Sequence, residues 1–334
     1  MTIDLTMIWA GIIAFAVLLY VVLDGFDLGI GILFPFIKRE EDRDVAINTV
    51  APVWDGNETW LVLGGGGLFA VFPLAYSILM TAFYAPLVVM LLALIFRGVA
   101  FEFRFRDARH KPAWDIAFIG GSILATFCQG IVLGAFIQGV EVEGRAYAGG
   151  WFDWLTLFSL VTGAALVAGY ALLGAGWLIW KTEGNLQGIA LWLIRPALVA
   201  VLGAIAVVSL WTALLDADIA ARWFSWPNIA FLAPVPLAVL VIAVAFLRAL
   251  RRHRQAQPFL LSLALFLLSY IGLGISLFPK IVPPDITIWQ AAAPPESQSF
   301  LLVGAVILLP VILAYTGHAY WVFRGKVKPD QGYH

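Results

Sequence analysis

The chain has 334 residues, of which 62% are hydrophobic and only 12% are charged, and its formal net charge is −1. A soluble domain carries about 25% charged residues, so this composition excludes a soluble fold and predicts a polytopic, all-α membrane protein. The near-neutral charge gives no indication of a nucleic-acid partner. The single cysteine, Cys128, excludes an internal disulfide and a cysteine-based zinc or iron–sulfur site.

The N-terminal stretch MTIDLTMIWAGII lacks the basic region and the small-residue cleavage site of a signal peptide, which predicts an uncleaved first span. A span needs about 20 apolar residues. Only Pro73 and small residues separate the second and third apolar segments, so we expect a tight hairpin there. On this basis the sequence predicts nine transmembrane helices, at about 7–36, 58–75, 77–100, 115–138, 153–180, 191–213, 228–250, 258–278 and 299–323.

Basic residues are concentrated in alternate loops, and the opposite set of loops (roughly 139–152, 214–227 and 279–298) holds only Arg145, Arg222 and Lys280. The positive-inside rule therefore predicts a periplasmic N-terminus and a cytoplasmic C-terminus, which requires an odd number of spans. The basic run Arg248 to Arg254 is either a site for lipid headgroups or an ordinary positive-inside signal, and the charge rule favours the second interpretation.

The chain is predicted to be one integral membrane domain, 1–334, with a weak internal repeat. Tyr20 is followed by an apolar, glycine-containing run and Lys38, and Tyr170 by a similar run and Lys181. This pattern suggests two four-helix bundles, in halves 1–138 and 153–278, with the ninth helix at 299–323 peripheral to them.

Two pairs of carboxylates fall in or beside the first two spans. Asp24 and Asp27 lie mid-span at i, i+3, on one helix face. Asp55 and Glu58 have the same spacing at the predicted start of the second span. A carboxylate at the bilayer centre costs roughly 2.5–3.5 kcal/mol on insertion scales, so acids kept there indicate a functional site. Burial and mutual repulsion favour the neutral form, which predicts proton carriage from the inner side; for Asp55, a helix N-cap is an equally good interpretation.

Three other positions bear on this site. Arg97 lies at the inner end of the third span, where it either pairs with these acids or extends to the lipid headgroups, and Glu102 follows one turn later. Trp60 lies one turn inside the second span, too deep for an aromatic belt at the interface. Gly64 to Gly67 indicate close helix–helix approach, because the strand and following Lys of a phosphate-binding loop are absent.

Histidine is scarce. Of the four histidines only His318 falls in a predicted span, whereas haem or metal ligation within one chain usually needs several ligands at a common depth. The sequence therefore predicts no tightly bound metal in this chain and leaves its cofactor-binding residues unknown.

Several motifs together carry a family resemblance: DGFDLGIGILFPF, APVWDGNETWLVLGGGGLFAVFPLAYS, IFRGVAFEFR, Trp114-Asp115, FPKIVPP and YWVFRGKV. They resemble subunit II of cytochrome bd-type quinol oxidases, and the short length and FEFRFRD resemble the cyanide-insensitive branch. The resemblance implies a complex that oxidises quinol and reduces dioxygen to water with cytoplasmic protons. It also implies that subunit I carries the haems, b and d, and that this chain is a non-haem partner with no activity alone.

Residue by residue, the resemblance matches Asp55 to an acid at the subunit interface on a proton path, and Trp60 to a tryptophan beside a hydrophobic oxygen channel. Asp24 and Asp27 match an acid pair in the first helix, and Glu102 an acid near the inner mouth. Some family members hold a structural quinone in subunit II, and no motif here marks one. The sequence leaves open which quinone is used and whether a small third subunit joins.

Two alternatives stand beside this interpretation. A proton-coupled secondary transporter usually places broken helices in matching halves at mid-membrane, whereas the acids here cluster towards one side. A structural scaffold would use its acids only to bind partner arginines.

Overall fold

The computed structural model describes residues 4–328, and this part of the chain is helical apart from loops and two small hairpins. The helices are α1 (Leu5–Leu33), α2 (Glu40–Asn48), α3 (Trp54–Val71), α4 (Pro73–Ala82), α5 (Tyr84–Arg106), α6 (Lys111–Gln138), α7 (Leu157–Lys181), α8 (Gly184–Leu215), α9 (Ala217–Phe224), α10 (Asn228–Leu232), α11 (Pro234–Arg251), α12 (Gln257–Leu277), α13 (Ile288–Ala291) and α14 (Pro295–Val322). Two antiparallel hairpins pair β1 (Val142–Glu143) with β2 (Ala146–Tyr147), and β3 (Lys280–Val282) with β4 (Ile286–Thr287).

Within the described residues, eight helical segments are long and apolar enough to cross a membrane. They confirm a helical, polytopic membrane protein and correspond to eight of the predicted spans. The ninth predicted span, 58–75, corresponds to α3. That helix has 18 residues, is about 27 Å long, and includes two acids and four glycines, so its crossing stays a prediction.

The expected tight hairpin between the second and third spans is wrong. The ten-residue helix α4 lies between α3 and α5, and the chain leaves helical geometry at Phe72 and again at Phe83. Pro73 begins α4, where the missing N–H of proline costs no helical hydrogen bond. Both phenylalanines are buried in an apolar cluster with α4, and this burial offsets the two interruptions.

Helix α1 is the centre of the packing, with α3, α6 and α7 against it. The α1–α7 crossing depends on glycine at both positions. A Cβ on Gly29 would lie 2.0 Å from the main-chain oxygen of Tyr170, and a Cβ on Gly174 would lie 2.5 Å from the main-chain carbon of Gly29. The backbones therefore touch there, and this close approach buries the acidic half of α1 against α7.

Several short elements lie on the side opposite the basic loops, which we call the outer side. The loops predicted at 139–152, 214–227 and 279–298 contain the two hairpins, α9 and α13. Main-chain hydrogen bonds join them: Val140 N–H donates to Pro283 O at 3.0 Å, and Ala293 N–H donates to Val71 O at 2.7 Å. The outer loops thus fix the ends of the long helices.

Candidate proton-transfer site

Arg97 forms ion pairs with acids on two other helices. Its guanidinium Nη1 lies 2.5 Å from Oε1 of Glu58 on α3, and Nη2 lies 3.3 Å from Oδ1 of Asp24 on α1. Arg97 is 0% exposed and Asp24 is 1% exposed, so the interpretation of Arg97 as a residue extended to the lipid headgroups is wrong. The structure joins α1, α3 and α5 through one buried guanidinium.

Asp27 lies beside this group but makes no ion pair in the described structure. Its Oδ2 accepts a hydrogen bond from Nδ2 of Asn57 at 2.7 Å, and the hydroxyl of Tyr320 donates to Oδ1 of Asn57 at 2.9 Å. Asp27 is fully buried, and its Oδ1 has no hydrogen-bond partner among the described residues. This oxygen is therefore available to take up a proton.

Asp55 occupies the surface in the first turn of α3, where a carboxylate suits the helix dipole. The N-cap is Val53, so the N-cap interpretation of Asp55 is wrong. Glu58, one turn further along, has a side chain that is 24% exposed. The three acids Asp55, Glu58 and Asp24 thus run from an exposed position, through a partly exposed one, to a buried one.

The structure does not bring Glu102 to this group. Its side chain is exposed and pairs with Arg106 at 3.2 Å along the same helix. Arg97, Phe101 and Arg104 form the buried face of α5, and Glu102 projects from another face. A pairing of this kind at the surface contributes little to stability.

Trp60 is 1% exposed and packs with Ala16 and Tyr20 of α1. Its indole nitrogen Nε1 has no hydrogen-bond partner among the described residues. The glycines that follow Trp60 in α3 lie on two different faces of the helix. A Cβ on Gly64 or Gly67 would contact Val17 or Ile13 of α1 at 3.3 or 3.1 Å, which agrees with the expected close approach; Gly65 and Gly66 instead face open space.

Sequence reasoning missed a second buried polar group. The side-chain amide of Gln129 on α6 donates from Nε2 to the hydroxyl of Tyr20 at 2.6 Å and accepts at Oε1 from the hydroxyl of Tyr170 at 2.8 Å. These are the two tyrosines of the suspected repeat. A polar residue inside an apolar span was the signal that could have identified Gln129.

A third group, also missed, holds α2 against the inner ends of α5 and α6. Arg104 is fully buried, and its Nε lies 2.5 Å from Oδ1 of Asp115. Arg43 reaches the other oxygen of Asp115 at 2.7 Å. Arg104 also pairs with Asp44 and, at 3.3 Å, with Glu40. The charges in this third group alternate in sign, as expected of a structural network, and the group is separate from the Arg97 site.

The buried site holds more negative groups than positive ones. Arg97 is the one cation that the described residues bring to Asp24, Asp27 and Glu58. A buried carboxylate without a compensating charge costs several kcal/mol, and taking up a proton removes that cost. The arrangement can therefore bind and release protons. Between residues 4 and 328 no His, Cys, Asp and Glu side chains form a set of metal ligands.

Comparison with known proteins gives one consistent result. The profile of the family described as cytochrome bd terminal oxidase subunit II matches residues 5–323. The chain is 27% identical over 363 aligned residues to cytochrome bd-I ubiquinol oxidase subunit 2 of Escherichia coli (strain K12), covering 98% of this chain and 96% of the relative. It is 30% identical over 335 residues to cytochrome bd ubiquinol oxidase subunit 2 of Bacillus subtilis (strain 168), covering 96% of each.

The fold is also similar to a solved one, a chain of the bd oxidase from Geobacillus thermodenitrificans. The TM-score is 0.75 over 96% of this chain and 99% of that chain, at 19% identity. At this identity the likeness establishes the fold alone. Because the family profile and the relatives span nearly the whole chain, this protein belongs to the cytochrome bd terminal oxidase subunit II family.

Proposed function

We propose that this chain is the non-haem subunit of a bd-type quinol:oxygen oxidoreductase in the bacterial cytoplasmic membrane, and that its buried acids conduct protons towards the haem-bearing subunit I. The observation that carries the proposal is the placement of Asp24 and Asp27, which are both buried, with Asp24 joined through Arg97 to the partly exposed Glu58. A secondary transporter is not favoured, because the matching family and relatives are oxidase subunits.

The proposed route begins at the surface acid Asp55. It continues to Glu58 and then to the Asp24–Asp27 pair, with Arg97 between them. Arg97 holds the carboxylates close without neutralising all of them. Acids that are held close together inside the protein and reached from one side are typical of proton relays in membranes.

The described histidines fit no haem site in this chain. His318 is exposed and stacks on Trp321 with 6.0 Å between ring centroids, while His110 and His253 lie on the surface. His334 lies outside the described residues. We therefore assign the haems, b and d, and the oxidation of quinol to subunit I. Nothing in the described residues marks a place for a structural quinone here.

The face of α3 that carries Gly65 and Gly66 is proposed to receive subunit I. Val62 and Phe69 on this face are 72% and 62% exposed, and nothing lies within 4 Å of a Cβ built on either glycine. Small residues let a partner helix approach closely in a membrane. This surface adjoins Asp55, so protons entering there would reach the subunit boundary. Membrane lipids are expected on the other exposed faces, and a small third subunit is a further proposed partner.

The test is co-expression of this chain with subunit I in a host without other bd oxidases, followed by haem spectra and quinol-dependent oxygen consumption. We expect Asp24→Asn and Glu58→Gln to lower turnover on the order of tenfold or more, with an unchanged haem spectrum. Glu102→Gln is the matched control, because this acid is ion-paired on the surface away from the site; its turnover should stay close to wild type.

Asp55→Asn tests the entrance of the route and should also slow turnover. Full activity in all three variants of the route, Asp24→Asn, Asp55→Asn and Glu58→Gln, would instead mean that the acids only hold the chain together. Loss of activity in Glu102→Gln alone would move the entrance to the end of α5. An uncoloured complex without co-purifying subunit I would contradict the oxidase assignment itself.

A further inference from the structure

The side chain of Asn57 lies between a tyrosine of the last helix and an acid of the first. Its Nδ2 donates to Oδ2 of Asp27 at 2.7 Å and, more weakly, to the main-chain oxygen of Leu23 at 3.4 Å. Its Oδ1 accepts from the hydroxyl of Tyr320 at 2.9 Å. The amide thus links α14 to α1 through the first turns of α3.

The partners on both ends fix the orientation of this amide. The ionised carboxylate of Asp27 only accepts, so the NH₂ group of Asn57 faces it, while the hydroxyl of Tyr320 donates a hydrogen bond to Oδ1 on the other side of the amide. One carboxylate oxygen of Asp27 is then occupied as an acceptor, and Oδ1 remains buried without a partner among the described residues. A proton arriving at Asp27 is therefore directed to Oδ1, while Asn57 stabilises the ionised form through Oδ2.

Tyr320 is held in place by its own surroundings. Its ring makes edge contacts with Phe26 and Trp177, at centroid distances of 6.4 and 6.3 Å. The main-chain oxygen of Phe323, three residues after Tyr320, accepts a hydrogen bond from the side chain of Lys181. The N–H of Val327 in turn donates to the main-chain oxygen of Lys181 at 2.9 Å. The inner end of α14 is therefore anchored to α7.

The rest of α14 makes few buried contacts. Gln298, near its outer end, is its one buried residue, where it accepts from the indole of Trp9 and donates to Ala293 O. A helix that is anchored at both ends and mostly exposed between them contributes little to a shared apolar core. The contact of Tyr320 with Asn57 is thus the way in which α14 reaches the buried acids.

We propose that Tyr320 and Asn57 are positioning residues for proton transfer: Tyr320 orients the Asn57 amide, and the amide determines which oxygen of Asp27 receives the proton. This inference rests on the proposed function, because it assigns the supports of an acid on the proposed route. Neither residue is a proton carrier in this arrangement, and α14 becomes part of the site although it contributes no acid to it.

The test compares Tyr320→Phe and Asn57→Leu in the intact oxidase complex. Two readouts are measured: infrared difference spectra of the carboxyl bands that Asp27→Asn removes, and the pH profile of oxygen consumption. Tyr320→Phe keeps the ring and its contacts but frees the amide to turn. The ionised form of Asp27 then loses a donor, so we expect the acidic limb to move to higher pH by about one unit and the Asp27 bands to shift.

Tyr315→Phe is the matched control, since Tyr315 is 70% exposed on the same helix; both readouts should equal those of wild type. Asn57→Leu should move the acidic limb and the Asp27 bands in the same direction as Tyr320→Phe. It provides a second measurement if the tyrosine variant assembles poorly. Unchanged Asp27 bands and an unchanged pH profile in both variants would overturn the inference.

The infrared readout separates this inference from the proposed function. If Asp27→Asn retains full turnover, Asp27 is not on the route. Movement of the Asp27 bands in Tyr320→Phe would still establish the positioning role, and bands that do not move would refute it.

Discussion

Nη1 of Arg97 lies 2.5 Å from Oε1 of Glu58, and this contact joins α5 to α3 across a span of 39 residues in the chain. The same guanidinium faces Asp24 of α1 at 3.3 Å. Since all of Arg97 is buried, its charge is balanced by these acids rather than by water. Arg97 therefore has a double role, because it stabilises the helix assembly and keeps the acids of the proposed route together.

Replacing Arg97 should be strongly destabilising. Arg97→Gln leaves Asp24 and Glu58 without a cation in a buried position, and breaking a buried ion pair from one side costs about 3–5 kcal/mol. We expect a lower midpoint in thermal unfolding of the detergent-solubilised complex and less assembled, haem-containing enzyme. Arg106→Gln is the control, because its exposed pair with Glu102 contributes only about 0–1 kcal/mol. Equal stability of the two variants would contradict a structural role of Arg97.

The α1–α7 crossing gives a second prediction. A methyl group added in Gly29→Ala would overlap the backbone of α7 at Tyr170, so the helices must separate. Overpacking of this kind costs about 1–3 kcal/mol. Gly120→Ala on α6 is the control, because nothing lies within 4 Å of its added Cβ and alanine favours a helix. Thermal unfolding should show Gly29→Ala below wild type and Gly120→Ala equal to it or above.

The outer end of α1 gives a pH-dependent prediction. The indole of Trp289 donates to Oδ2 of Asp4 at 2.9 Å, and this hydrogen bond lowers the pKa of Asp4 below its ordinary value of 3.8. A carboxyl whose pKa is lowered on folding contributes stability that is present above the unfolded-state pKa, about 3.9, and is lost as the pH falls through the lower folded-state value. The contact should thus be intact at neutral pH and break below about pH 4.

Tryptophan fluorescence measures this contact, taken as the difference between wild type and Trp289→Phe. We expect the difference to titrate below about pH 4 in the wild-type background and to lose that titration when Asp4→Asn is added to both proteins. A titration that persists with Asp4→Asn would assign the change to another group.

Local patterns were sufficient for much of the site. Two acids at i, i+3 inside an apolar run cannot be explained by surface exposure, so Asp24 and Asp27 could be identified from the sequence, and Arg97 was a reasonable partner at the same depth. Glu102 shows the limit of this reasoning. Depth along a helix follows from residue number, but the buried face of α5 is set by packing, and Glu102 lies outside it.

Residues without an unusual local pattern were not predictable. Asn57 follows Asp55 in a polar stretch, and Tyr320 lies among aromatic residues typical of a membrane interface; their contact joins positions 263 residues apart. Gln129 is the exception, because a lone amide in an apolar span could have been singled out.

The sequence by itself determined the membrane class, the approximate places of the long helices and the family to which the chain belongs, because hydropathy and short motifs are local properties of the chain. Tertiary structure decided the break of the chain around α4, the face on which each acid lies and the link from Tyr320 to Asp27. These features depend on how distant helices pack against one another. The sequence of a single helix does not fix its rotation about its own axis, which is set only when its neighbours are in place.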